Sequence, residues 1–153
     1  MSDELEVRLA TTDDMPAVFA LRHEVFVVGQ GVPEELERDD IDPLCDHAVA
    51  LRGDRVVATG RLVPGTVSVD NVLTPGPVST VGRMAVDESE RGEGIGALVL
   101  GLLEQQARER GVEVVELHAQ TTARRFYDRA GYTPVGEVYL EAGIEHLTMQ
   151  KSL

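Results

Sequence analysis

Residues 81–96 read VGRMAVDESERGEGIG, and this stretch decides the fold of the chain. Its first part, Val81 to Val86, has the composition of a strand, and a charged turn rich in glycine leads from it into a helical pattern from about Ile95 to Arg110. A second strand pattern follows from Val112 to Ala119. This order predicts a strand-loop-helix-strand crossover.

Gly92, Gly94 and Gly96 lie where the predicted helix begins. Backbone N–H groups at a helix N-terminus carry a partial positive charge and bind phosphate well. Because glycine has no Cβ, a ligand can approach the backbone closely there. The segment therefore predicts a phosphate-binding loop, and the alternative is a tight strand-to-helix turn without a ligand.

The spacing of the glycines separates the phosphate ligands that such a loop could bind. A P-loop needs Lys-Ser or Lys-Thr after its last glycine, whereas Ala97 and Leu98 follow here, which excludes a nucleotide triphosphatase of that class. The dinucleotide fingerprint needs Gly-x-Gly-x-x-Gly, and this chain has Gly-x-Gly-x-Gly. Glu116 nevertheless lies roughly 20 residues on, where that fingerprint places its ribose-binding acid, so a dinucleotide site stays open as an alternative.

The rest of the chain alternates short strands and helices, without repeats or linkers. Periodicity, capping residues and turn residues predict strands at 4–10, 47–51, 55–62, 132–138 and 146–149 and helices at 15–28 and 122–130. Gly53-Asp54 suits a tight turn between two antiparallel strands. The charged run at 34–40 is interpreted as a surface turn, and 64–77 as an irregular excursion with a small hairpin as the alternative.

Composition limits the class of protein. At 153 residues, with 42% hydrophobic and 27% charged residues, we expect one soluble domain spanning 1–153 and no membrane span. A net charge of -13 disfavours nucleic acid as a partner. The acidic start, from Met1 to Glu6, does not resemble a secretory signal, and Cys45 is the only cysteine, so we expect a cytoplasmic protein.

Two linked motifs lie in the second half of the chain: Val86-Asp87-x-x-x-Arg91-Gly92-x-Gly94-Ile95-Gly96 and Ala123-x-x-Phe126-Tyr127-x-x-x-Gly131-Tyr132. Together they resemble the GNAT acetyltransferase superfamily. The resemblance extends to both ends of the chain, which as a whole is similar to the small bacterial ElaA and YjcF subgroup. The residues that carry this wider likeness are Arg22-x-x-Val25-Phe26-Val27, Glu37-x-x-Asp40-x-Asp42, His47, Gly60-Arg61-Leu62, Gly82-Arg83 and Gly143-Ile144-x-His146-Leu147-x-Met149.

The resemblance implies a mixed α/β fold, with a mostly antiparallel central sheet that is parallel only at one splayed pair and has helices on both faces. It implies acetyl-CoA as co-substrate, with its pantetheine arm in the opening of the splayed pair, often at a β-bulge, and no metal. The cofactor-binding residues that it implies are Met84, Ala85, Val86, Arg91, Gly92, Gly94, Ile95, Gly96, Ala97, Gln120 and Phe126.

The family reaction is a direct attack of an amine on the thioester, with Tyr127 at the position of the usual general acid. A base or a water chain must also deprotonate the amine, and five side chains qualify: Glu35, Glu37, His47, His118 and His146. His118 is the first choice because its strand lines the gap. A Cys45 nucleophile paired with His47 is disfavoured, because residues two apart on a strand share a face without necessarily meeting.

The acceptor, a small molecule or a peptide amine, stays open. Arg61 and Arg83 lie in otherwise apolar strands, so they either pair with Asp40 or Asp42 or clamp an anionic group of the acceptor. Glu35 and His146 are further candidates for acceptor contacts. The alternative function is a catalytically silent acyl-CoA sensor or interaction module of the same fold, and either protein would be a monomer or homodimer.

Overall fold

The computed structural model describes residues 4–153, so Met1 to Asp3 lie outside the described residues. In this range eight strands form one sheet: β1 Leu5–Leu9, β2 Asp46–Arg52, β3 Arg55–Val67, β4 Leu73–Val86, β5 Val114–Gln120, β6 Thr133–Pro134, β7 Tyr139–Glu141 and β8 Ile144–Ser152. The α-helices are α1 Met15–Arg22, α2 Glu34–Glu37, α3 Ile95–Glu109 and α4 Arg124–Arg129.

The sheet has the order β1-β2-β3-β4-β5-β8-β6, and β7 also pairs with β8. Every pair is antiparallel except β4 with β5, which α3 connects as a crossover. This confirms the expected mixed fold, in which the sheet is parallel at a single pair.

Helices cover both faces of the sheet because β2 is apolar on both sides. Ala48 and Ala50 belong to the core cluster of α3, whereas Val49 and Leu51 belong to that of α1. The apolar residues of α3 recur every fourth position, at Ile95, Val99, Leu103 and Ala107, and all four are buried. The helix therefore presents one continuous stripe to the sheet.

The first helix departs from the prediction of a single α-helix over 15–28. α1 ends at Arg22, and a π-helix from His23 to Val28 continues it. Its last bond joins the Gly29 N–H to the Glu24 carbonyl at 2.9 Å. Such π segments are rare and are frequently found at functional sites, and this one precedes α2 in the chain.

Two other predictions need correction. Residues 64–77 are not irregular: β3 and β4 continue as a hairpin that turns at 68–72, as the alternative interpretation proposed. The prolines concealed this, because Pro64 falls at a register shift and Pro75 precedes the part of β4 that pairs with β5. The strand predicted at 132–138 is only the two residues of β6, since Gly136 adopts a left-handed φ of 82° that ends it.

Candidate active site

The loop between β4 and α3 is ordered by its own hydrogen bonds. The Asp87 N–H donates to the Val57 carbonyl at 2.8 Å, which fixes the end of β4 to β3. The Asp87 carboxylate accepts bonds from the Ser89 N–H at 3.0 Å and the Ser89 hydroxyl at 2.7 Å, which lower the pKa of Asp87. Gly92 and Gly94 have φ of 85° and 78°, a left-handed conformation that glycine adopts without strain.

This loop presents hydrogen-bond donors to open space. The first bond of α3 runs from the Leu98 N–H to the Gly94 carbonyl, so the N–H groups of Ile95, Gly96 and Ala97 have no acceptor within the helix. Gly94, at the N-cap, has no side chain that could supply one. A Cβ placed on Gly92 or Gly94 would meet no heavy atom within 4 Å. These features fit a pyrophosphate at the helix N-terminus.

A cavity of about 510 Å³ lies at this loop. Its lining residues are Val86, Glu90, Arg91, Gly92, Gly94, Ile95, Gly96, Ala97, Phe126, Arg129 and Ala130. Most of the cofactor residues expected from the sequence are among them. Sequence reasoning missed Arg129, a second cation beside Arg91, although its position three residues after Phe126 on one helix was an available signal.

The parallel pair separates beside this cavity. Pairing of β4 with β5 runs from Val78 with Val114 to Val81 with Leu117 and stops there, while β4 stays bonded to β3 and β5 to β8. The facing edges at 82–86 and 118–120 therefore no longer bond each other. Met84, Ala85 and Gln120, the cofactor candidates outside the cavity, lie on these two edges.

A β-bulge accompanies the separation. Ala85 pairs with Thr59 and Gly82 with Arg61, so the residue between Thr59 and Arg61 faces two residues of β4. One of these two is Arg83, whose φ of 53° is left-handed. The expected splay and bulge are thus both present, and the backbone from Met84 to Val86 faces the gap without a strand partner on that side.

Tyr127 lies on α4 with only 8% of its surface exposed. Its ring meets Phe126 and Tyr132 edge-on, with centroids 4.9 and 5.9 Å away. Burial raises the pKa of Tyr127 to about 12, so the phenol stays protonated near neutrality. Its hydroxyl makes no hydrogen bond with any residue of 4–153 and is thus available as a donor.

His118 and His146, taken from separate parts of the sequence, are brought together by Tyr139. His118 Nδ1 lies 2.7 Å from the Tyr139 hydroxyl, and its Nε2 lies 3.6 Å from the Glu116 carboxylate. The ring of Tyr139 stacks on His146, with centroids 5.9 Å apart. The side chain of His118 is 43% exposed and can receive a proton from solvent or from a ligand. No motif pointed to Tyr139, an isolated aromatic near a turn.

The other proposed bases lie in different surroundings. His47 is buried with Nε2 2.8 Å from the Asp42 carbonyl, and burial lowers the pKa of His47. Glu37 is buried and accepts a bond from Arg22, whereas Glu35 is exposed on α2. Burial raises the pKa of Cys45 to about 11, so its thiol is protonated, which agrees with the disfavoured nucleophile.

His47 and Cys45 line a second cavity, of about 620 Å³, between β1, α1 and the segment that precedes β2. It shares no lining residue with the cavity at the glycine loop.

Arg61 and Arg83 are held by internal partners. Arg61 Nη1 donates to Asp39 at 2.8 Å and to Asp42 at 3.0 Å, and Arg83 donates to the carbonyls of Leu36 and Glu37 at 3.3 and 3.0 Å. The ion-pair interpretation therefore describes both side chains, with Asp39 in place of the expected Asp40. We consequently leave both out of the proposed acceptor contacts.

Arg22 completes this cluster. It is fully buried and pairs with Glu37 and Asp42. Its sequence position offered a signal, because it interrupts the apolar stripe of the first helix between Val18 and Val25.

An open sheet splayed at a parallel pair, beside a helix N-terminus with free donors, defines the acyl-CoA acyltransferase class of fold. Residues 24–153 match the acetyltransferase (GNAT) domain family. The chain is 33% identical over 142 residues to YjcF of Bacillus subtilis, named an uncharacterized N-acetyltransferase, with 91% of this chain and 93% of YjcF covered. It is 32% identical over 139 residues to the protein ElaA of Escherichia coli, covering 90% of this chain and 86% of ElaA.

Solved structures agree. An acyl-CoA N-acyltransferase from Pseudomonas aeruginosa has a TM-score of 0.80 and 30% identity, covering 97% of this chain and 99% of that one. The crystal structure of Escherichia coli ElaA has a TM-score of 0.80 at 28% identity, with the same coverage. The chain belongs to the GNAT acetyltransferase family. Among residues 4–153, no helix is long and apolar enough to span a membrane, and no three acidic, histidine or cysteine side chains converge on a metal position.

Proposed function

We propose that this protein transfers the acetyl group of acetyl-CoA to a primary amine, which attacks the thioester directly in a ternary complex. One observation carries the proposal: the unpaired stretch of β4 opens next to a glycine loop with free N–H donors. Phosphate and thioester ends of one extended ligand would then be held by a single continuous segment of chain.

The chain's own groups would hold that ligand in three ways. The N–H groups of Ile95, Gly96 and Ala97, with Arg91 and Arg129 nearby, offer donors and positive charge to the pyrophosphate. The backbone from Met84 to Val86 can bond the pantetheine amides as an added strand would. Bound acetyl-CoA supplies the activated carbonyl, and an N–H at Met84 or Val86 stabilises the negative charge that develops on its oxygen.

Two side chains would manage the protons. Tyr127, kept protonated by its burial, donates to the departing thiolate. His118 takes the proton of the amine, directly or through water. The Glu116 carboxylate, 3.6 Å from its Nε2, stabilises the imidazolium that forms, and the Tyr139 hydroxyl orients the ring.

The charges favour a cationic acceptor without a carboxylate or phosphate. Arg61 and Arg83 point to an anionic group only if they are free, and both are occupied by acidic side chains or carbonyls. The carboxylates of Glu116 and Glu141 lie beside His118 and His146. A chain with a net charge of -13 also steers cations toward itself.

We further propose that residues 1–153 act as one domain, without a metal, as a monomer or homodimer in the reducing cytoplasm. The single cysteine fits such a compartment.

The test is release of free CoA thiol from acetyl-CoA in the presence of a panel of amines. The panel includes polyamines, lysine peptides, peptide N-termini and aminoglycosides. Each amine is compared with an analogue that carries an additional carboxylate group. We expect amine-dependent release with at least one cationic acceptor. Saturable acetyl-CoA binding without release by any amine would instead support the silent sensor, and thermal stabilisation by NAD or NADP alone would support a dinucleotide site.

A further inference from the structure

Arg83 adopts a backbone conformation that is unusual for its position. Among residues 4–153, the other non-glycine residues with positive φ are Asn71 and Ala142, and both lie in hairpin turns. Arg83 instead lies inside a strand, at the bulge beside the gap. A left-handed non-glycine residue persists where its surroundings hold it, so the contacts of Arg83 identify what holds the bulge.

The side chain of Arg83 bonds to the end of α2. Its Nε donates to the Glu37 carbonyl at 3.0 Å, and Nη2 donates to the Leu36 carbonyl at 3.3 Å and to the Asp39 carboxylate at 3.4 Å. The last carbonyls of a helix have no partner within it, so Arg83 satisfies the Leu36 carbonyl and shares the Glu37 carbonyl with Arg22, whose Nη2 donates to it at 3.0 Å. One side chain thus connects the bulge of β4 with the C-terminal end of α2.

An ionic cluster that is buried except at Asp39 fixes the same part of the chain to the sheet. Residues 36–42, which we call the clamped segment, contribute Glu37, Asp39 and Asp42 to it. Arg22 from α1 and Arg61 from β3 supply the opposing charges. Because each carboxylate has a cationic partner at close range, the segment has a defined position relative to the sheet. It can therefore serve as a fixed support for Arg83.

We propose that Arg83 is a positioning residue through which the clamped segment sets the bulge of β4, and with it the backbone donors from Met84 to Val86. Arg83 touches no reacting atom in this scheme. Its side chain holds the strand in the shape that leaves those donors free on the gap side. The kinetic part of this inference rests on the proposed acetyl transfer, whereas the structural coupling does not.

The decisive variant is Arg83→Gly. Glycine accepts the left-handed φ without strain, so the substitution removes the side-chain link and leaves the backbone conformation accessible. Arg83→Lys keeps the positive charge but loses the forked donors of the guanidinium. Its changes in exchange and in kcat should therefore be smaller than those of Arg83→Gly. Asn71→Gly is the matched control, because it also relieves a left-handed non-glycine residue, in the turn at 68–72, which carries no residue of the proposed site.

Three measurements on the full chain test the proposal. In amide hydrogen exchange without ligand, Arg83→Gly should expose residues 36–42 and 82–86 and leave α3 protected. Isothermal titration with acetyl-CoA should give an affinity about 5- to 30-fold weaker than that of the parent, because the pantetheine donors from Met84 to Val86 shift while the pyrophosphate loop stays intact. With the best acceptor of the panel, kcat should fall by about 10²-fold, as expected for misplaced groups. Asn71→Gly should change none of these.

Each outcome decides. Unchanged hydrogen exchange in Arg83→Gly overturns the structural coupling, whether or not kcat changes. Increased exchange with an unchanged kcat overturns the positioning role. A fall in kcat without any change in exchange assigns Arg83 a direct contact and also overturns the inference. If no amine is acetylated even by the parent protein, the proposed function fails, yet the exchange data still support or refute the coupling.

Discussion

Tyr127→Phe separates chemistry from packing. The substitution keeps a ring in edge-on contact with Phe126 and Tyr132 and removes a hydroxyl that has no hydrogen-bond partner among residues 4–153. Stability should therefore change by no more than ~0.5 kcal/mol. If the phenol is the general acid, kcat should fall by about 10² to 10⁴. This corresponds to ~3 to ~5 kcal/mol of barrier at ~1.36 kcal/mol per tenfold.

Tyr132→Phe is the matched control, because it removes a hydroxyl of the same aromatic cluster that does have a partner. Tyr132 donates to Glu104 at 2.8 Å, so its loss should cost ~1.5 to ~3 kcal/mol in urea unfolding and leave kcat unchanged. The assay is single-turnover CoA release, in which chemistry limits the rate. An unchanged rate for Tyr127→Phe would refute the general-acid role, and equal losses in both variants would point to packing of the aromatic cluster.

The pH profile adds an independent check on the same residue. With a pKa of about 12, the Tyr127 phenol is protonated at every pH from neutrality to the limit of the assay, so it produces no alkaline decline. A decline near pH 10 that disappears in Tyr127→Phe would show that the phenol ionises normally and is not buried in the working enzyme.

Three further predictions concern the loop, the core and the surface. Gly94→Val places a side chain in the open space beside the loop and strains a φ of 78°, so calorimetry should show acetyl-CoA binding at least ~10-fold weaker; unchanged affinity would place the pyrophosphate elsewhere. Arg22→Met removes the buried cation that Glu37 and Asp42 share, leaving them only Arg83 at 3.8 Å and Arg61 at 3.0 Å, and should cost ~3 to ~5 kcal/mol in urea unfolding, whereas a loss below ~1 kcal/mol would contradict the cluster. Because the net charge is -13, raising salt from ~0.1 to ~1 M shortens the screening length from ~10 to ~3 Å and should raise Tm; a fall would show that attractive pairs dominate.

The local structure of the proposed acetyl-CoA site could be predicted because most of it is contiguous in sequence. The segment from Val81 to Gly96 contains the strand, the turn and the helix start, and local rules govern each of them. Gly92 and Gly94 have the left-handed φ values that only a glycine accepts freely, so their identity reports the backbone directly. Phe126, the predicted lining residue that lies far from this segment in sequence, came from the family motif.

Elements whose conformation depends on tertiary contacts were predicted less well from the sequence. The π-helix from His23 to Val28 has ordinary helical periodicity, and tertiary contacts rather than propensity select its wider turns. The long hairpin of β3 and β4 was obscured by Pro64 and Pro75, because proline reads as a breaker unless the pairing of the strand edge is known. Tyr139 is proposed to orient His118 only because the two side chains are in contact, and strand pairing within the sheet creates that contact.

The region proposed for the acceptor is assembled from segments far apart in sequence, and this explains why charge alone left two interpretations open there. Gln30 meets Gln120 at 2.7 Å, and Arg83 meets the end of α2, across separations that no local pattern reports. A sequence displays an arginine in an apolar strand but not the carboxylate that folding places against it. From the sequence, Arg61 and Arg83 could either be ion-paired or clamp an anionic group, and the structure shows the ion pairs, with Asp39 and Asp42 as the carboxylates. The remaining charges near the gap are carboxylates beside histidines, which suits an amine that arrives as a cation and must lose a proton before it attacks.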